Sequence, residues 1–128
     1  MSRLYWMGVI AMVNPYEALA NGIIEQAVKD YRRAAKFLKK HPRTDELEAD
    51  VAARLAEKKK RREERAKLNL PKEREKKSKE ERLLDNIRSN ERMVSETEKF
   101  FQSEWFGRLT EINGHWLLKR LKKEMEVE

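Results

Sequence analysis

Side chains suited to catalysis are scarce and scattered in this chain. His41 precedes Pro42 at the end of a helical pattern and reads as a cap, while His115 stands beside Trp116 in a first turn. There is no cysteine, which removes a thiolate nucleophile, a disulfide framework and thiolate zinc sites. Two separated histidines without cysteines make a poor metal site, so neither a metal nor a cofactor is expected. No Gly-rich phosphate loop, nucleophile elbow or paired-carboxylate pocket stands out. The glutamates are plentiful but share polar helix faces with lysines. A binding protein is expected, and no enzyme.

The binding chemistry is electrostatic. From Glu57 to Arg82 there are thirteen Lys and Arg against seven Glu, a net +6 of the chain's +7. The cations are Lys58, Lys59, Lys60, Arg61, Arg62, Arg65, Lys67, Lys72, Arg74, Lys76, Lys77, Lys79 and Arg82, with Lys58 to Arg62 the densest block. Positive charge gathered on one segment is the footprint of phosphate-backbone binding, in which neutralised phosphates release counterions. The glutamates repel the same phosphates and argue against contact on every face. A solvated spacer and an arm for an acidic protein are the competing readings. Base-specific recognition is not visible, because no recognition helix follows a tight turn and the segment lacks aromatics for stacking. Arg32, Arg33 and Lys36 form a secondary basic patch beside Tyr31. Trp105, Phe106 and Trp116 could be a partner hot spot, but in so small a domain they read as core.

All-helical structure must position these groups. The chain is 41% charged and 39% hydrophobic with only four Gly and three Pro, a mixture helices accommodate with one apolar stripe and a charged outer face. Asn14 caps a first helix with Pro15 at its first position, and Pro42 stops it. Its apolar stripe takes in Tyr16, Leu19, Ile23, Ile24, Ala27, Tyr31, Ala34, Ala35 and Leu38, in steps of three and four. Thr44 caps a second helix with Leu47, Val51 and Leu55 on one face. Asn69-Leu70-Pro71 interrupts the charged run, since Pro71 cannot donate and disfavours helix at Leu70. Reflection through residue 70 brings Leu47, Val51 and Leu55 opposite apolar residues between Leu84 and Val94. That symmetry predicts an antiparallel helical hairpin joined at its base by apolar contacts. The i,i+4 pairs Glu57–Arg61, Glu63–Lys67, Glu73–Lys77 and Glu75–Lys79 keep each arm of its charged tip helical but do not dock the arms to one another. The alternative is one long helix kinked at Pro71. Phe100 to Leu121 is the densest apolar stretch, with Ser103 and Asn113 as caps and a last helix from His115 to about Glu124. The expected organisation is a compact base of residues 14–43 and 97–128, a hairpin insertion over 44–96 with its basic tip at 57–82, and residues 1–13 as a strap or extension. Residues 4–13 fail as a signal peptide, and no apolar run spans a membrane.

The ends of the chain resemble a known family. Asn14-Pro-Tyr-Glu-Ala-Leu-Ala-Asn-Gly-Ile-Ile with Lys29-Asp30-Tyr31-Arg32, then Glu98 to Phe101, Ser103-Glu104-Trp105-Phe106, Leu109-Thr110 and Asn113-Gly114, look like short helical proteins encoded by phages and prophages of Gram-positive bacteria. The match covers roughly residues 13–41 and 97–125. It implies a mobile-element setting in a host cytoplasm, and an insertion where the charged hairpin stands, but it carries no chemistry. The expected function is therefore a non-enzymatic accessory protein that engages nucleic acid or a nucleoprotein complex through the basic arm. A counter-defence protein that inhibits a host nuclease such as a CRISPR effector is one alternative. A structural spacer or homodimerisation arm is another. No membrane partner is expected.

Overall fold

The computed structural model describes residues 15–127, and the fold is all-α. The expected Asn14 cap and the strap at 1–13 lie outside the described residues. Five helices follow in order: α1 (Pro15–Lys40), α2 (Asp45–Lys67), α3 (Lys79–Phe101), α4 (Glu104–Leu109) and α5 (Gly114–Val127). None is long and apolar enough to cross a membrane.

Local chemistry sets the boundaries. Lys39 and Lys40 occupy the last turn of α1, where positive charge suits the helix dipole, and Pro42 follows. Thr44 Oγ1 accepts from Leu47 N–H at 3.1 Å to start α2, Ser103 Oγ accepts from Phe106 N–H at 3.2 Å to start α4, and Asn113 Oδ1 accepts from Trp116 N–H at 3.1 Å to start α5. Each satisfies an amide that the first helical turn leaves without a backbone partner. Asn69 ends α2 in the left-handed region at φ 53°. Asn69 N–H then donates to the Ala66 carbonyl and Leu70 N–H to the Arg65 carbonyl, at 3.1 and 3.0 Å. This is the Schellman arrangement, which closes the carbonyls of the last turn.

Every other helix packs on α3. At its C-terminal end the core joins Ile24 and Tyr31 of α1, Phe101 of α3, Phe106 of α4, and Leu118 and Leu121 of α5. The rings of Phe100, Phe101 and Phe106 meet edge-on or tilted, with centroids 5.5–5.7 Å apart, the geometry their quadrupoles favour. Gly114 lets α5 come close: a Cβ there would overlap the Phe101 carbonyl and sit 3.2 Å from Phe106 Cδ1. Toward the other end of α3, Leu84 and Ile87 are buried, as is Val51 on α2.

The sequence expectations need four corrections. The charged run after Pro71 is not helical: residues 71–78 carry no helix, and α3 starts only at Lys79, where Ser78 Oγ accepts from Glu81 N–H. A helix there would gain about 0.2–0.5 kcal/mol per exposed i,i+4 pair, whereas the observed path gives its acids partners on α2. α3 also runs unbroken through residues 96 and 97, so base and hairpin share one helix. Trp105 and Trp116 are each 55% exposed, and only Phe106 of that trio is core. Tyr16, Leu19 and Leu55 lie on expected apolar stripes yet are exposed.

Candidate nucleic-acid interface

Four cations line one face of α2. Arg54, Lys58, Arg62 and Arg65 follow at steps of four, four and three, which keeps them on the side of the helix that also carries Val51. Each meets an acid of the returning chain. Arg54 lies 3.6 Å from Glu80, Lys58 2.7 Å from Glu81, Arg62 3.1 Å from Glu75 and Arg65 4.0 Å from Glu73. Ascending α2 thus matches the returning chain in broadly descending order, and Arg43 reaches Glu91 at 3.7 Å farther down. α2 and α3 are antiparallel.

Two of these cations also bind backbone. Lys58 Nζ donates to the Lys76 carbonyl at 3.3 Å, and the Arg65 guanidinium donates twice to the Pro71 carbonyl at 3.1 and 2.9 Å. The return segment is therefore held along its length by α2. Its most buried tie is Lys58–Glu81, where the two side chains are 13% and 5% exposed. The hydrogen bond from Lys58 holds the Glu81 carboxyl below the usual carboxylate range against the opposing effect of burial. Glu81 Oε1 is buried and accepts no hydrogen bond from the protein. Lys77 is engaged as well, 2.6 Å from Asp85; that hydrogen bond raises the ammonium's pKa and lowers the carboxyl's.

The return segment consequently has two sides. Glu73 and Glu75 turn toward α2, while Lys72, Arg74 and Lys76 alternate with them and are exposed. Alternation with a period of two is how non-helical, extended chain separates its side chains. Lys79 and Arg82 continue the exposed set onto the first turn of α3. Among the described residues, none of Lys72, Arg74, Lys76, Lys79 and Arg82 has an ion-pair partner. All four glutamates between residues 72 and 82 are engaged with α2. The outer face of α2 is more balanced, with Lys59, Lys60, Arg61 and Lys67 interspersed with Glu57, Glu63 and Glu64.

The expected site thus divides. Lys58, Arg62 and Arg65 hold the hairpin together and Lys77 is tied within the returning arm to Asp85, so the Lys58–Arg62 block is not a continuous free surface. The secondary patch is tied up too: Arg32 makes two 3.0 Å hydrogen bonds to Glu124, joining α1 to α5, and Arg33 pairs with Asp30 at 3.2 Å. Lys36 is exposed on the same helix. The clamp formed by Arg54 and the four glutamates was not singled out from sequence, although the alternation Lys-Glu-Arg-Glu-Lys at 72–76 is its signal. Comparison with protein-family models, curated proteins and solved structures gave no match for this chain.

Proposed function

We propose that the chain is a non-enzymatic binding protein that grips the phosphate backbone of nucleic acid, naked or within a nucleoprotein complex. Lys72, Arg74, Lys76, Lys79 and Arg82 are the principal contacts, with Lys59, Lys60, Arg61 and Lys67 at the margin. One observation carries the reading. The acids of the return segment pair with α2, which leaves Lys72, Arg74, Lys76, Lys79 and Arg82 exposed and, among the described residues, without ion-pair partners. Of the glutamates that would repel phosphates, Glu75 and Glu81 are largely buried against α2, while Glu73 and Glu80 stay partly exposed but have their charge offset by Arg65 and Arg54. Such an edge reads charge and shape with no sequence information. The resemblance of residues 13–41 and 97–125 supports a phage or prophage accessory role in the host cytoplasm. A defence nuclease loaded with its nucleic acid would offer the same phosphate chemistry.

The test is binding of a generic labelled duplex, followed by anisotropy at low salt. The triple reversal Lys72→Glu, Arg74→Glu, Lys76→Glu is expected to weaken binding at least tenfold while the melting temperature stays close to that of the unmodified chain. Equal affinity for both proteins overturns the reading.

A further inference from the structure

The outer stripe of α5 sets an exposed aromatic among cations. Leu118 and Leu121 turn into the core and Leu117 packs against it. At 3.6 residues per turn, Trp116 falls on the opposite side together with Lys119, Arg120 and Lys123. All four are exposed, Trp116 to 55%. Among the described residues none of the three cations has an acidic partner, and the nearest acid along the helix, Glu124, is taken by Arg32. The Arg120 guanidinium lies over the Trp116 ring, 5.4 Å from its centroid.

Trp105 offers a useful contrast. It is equally exposed, but its ring meets Phe100 edge-on at 5.5 Å and so leans on the core. Among the described residues Trp116 meets no other aromatic ring, and a surface arginine lies over its own. Cations dominate the stripe, with Glu126 the acid at its C-terminal end. That balance favours a polyanion, and an exposed indole flanked by a guanidinium selects a flat π face. One ligand class carries both features at nucleotide spacing. In single-stranded nucleic acid each base exposes a π face and each is flanked by phosphates, whereas a duplex hides its base faces in the stack. Lys119 and Lys123 are separated by about 6 Å along the helix axis, close enough to serve neighbouring phosphates of one strand.

We propose that Trp116 is a stacking platform for an unpaired nucleobase, with Lys119, Arg120 and Lys123 contacting the strand around it. The surface lies on α5, packed at the Phe101 end of α3, whereas the basic edge at 72–82 lies at the opposite end of that helix. A 23-residue helix is about 34 Å long, so variants at one surface leave the other intact. The proposal stands independently of the reading given to the basic edge.

The test uses the full chain with a labelled oligothymidine strand, a duplex of the same length, and anionic phospholipid vesicles as three separate probes. Trp116→Ala is expected to lower affinity for the strand about tenfold or more, the range alanine substitution gives for one stacked base, and to leave duplex binding unchanged. Trp116→Phe retains most of the affinity, Lys119→Glu with Lys123→Glu weakens strand binding, and Trp105→Ala does neither. Reversing Lys72, Arg74 and Lys76 lowers the affinity for strand and duplex alike, so a failed basic edge is told apart from a failed stacking site. Strand binding unaffected by Trp116→Ala overturns the proposal. So does an equal loss for strand and duplex, or a Trp116-dependent affinity found only for vesicles.

Discussion

At the residue scale the decisive pair is Lys58 and Glu81. Both side chains are largely removed from water, and Lys58 is the chief group compensating the charge of Glu81, with smaller help from the Ser78 backbone and Arg54, while Oε1 accepts nothing from the protein. A buried pair of this kind adds little over apolar replacements, but breaking it by removing one partner leaves an uncompensated charge. Protonation does the same thing reversibly. Unfolded, the Glu81 and Asp85 carboxyls titrate at ~4; folded, hydrogen bonds from Lys58 and Lys77 keep them ionised to lower pH. The unfolded state therefore binds protons first as pH falls, and stability falls with it. Their contribution is complete at neutral pH, begins to decline as pH drops through the unfolded value, and is gone below the folded ones. Glu81→Gln is expected to lower the urea midpoint at pH 7 and to flatten the loss of stability between pH 5 and about pH 2. Urea titrations of both proteins across that range check it, and a parallel acid limb in the variant would show that Glu81 is not the group responsible.

At the element scale, α5 is seated by the absence of a side chain. Gly114→Ala would gain up to about 1 kcal/mol in helix propensity if the site were open. It is not open: the new Cβ would meet the Phe101 carbonyl, which belongs to backbone of the central helix and cannot swing aside. Overpacking typically costs about 1–3 kcal/mol, so a net loss of stability is expected, seen as a lower denaturant midpoint with unchanged slope. Sequence made Asn113 a cap but gave Gly114 no packing role, because a close approach between distant segments leaves no local trace. The helices themselves were legible, since their caps and proline stops are local chemistry: Thr44, Ser103 and Asn113 cap as their types require. Residues 72–78 were not. Their Glu–Lys spacing fits an isolated helix, and only partners on α2, supplied by tertiary structure, turn Glu73 and Glu75 to another use. The same limit applies to the site. The basic segment was legible as a segment, but which of its cations remain unpaired depends on which glutamates lie across the hairpin. Trp116 was assigned to the core because hydrophobicity is a property of the residue, whereas burial depends on which face of α5 meets α3.

At the scale of the whole molecule, nearly all the net charge belongs to a hairpin in which the four acids of the return segment pair with α2, two of them largely buried, leaving one edge more positive than composition suggests. The consequence can be read from salt dependence. If each of Lys72, Arg74, Lys76, Lys79 and Arg82 neutralised one phosphate of a duplex, log affinity would fall with log salt at a slope of about −4.5. Between 50 and 200 mM salt that is a loss of several hundredfold. The Lys58–Glu81 tie and the Lys58 bond to the Lys76 carbonyl lie below residues 60–75 in the hairpin, so the end can be removed without exposing Glu81. Replacing residues 60–75 with a short Gly-Ser turn removes Lys72 and Arg74 from the edge and should bring the slope to about −2.7. The core at the far end of α3 draws on none of those residues, and the shortened chain should keep its helical circular dichroism outside the deleted turns. A slope that stays the same in a folded, shortened chain would move the phosphate contacts off this edge and onto another surface of the molecule. A slope near zero in the intact chain would remove the duplex backbone as the partner of this edge.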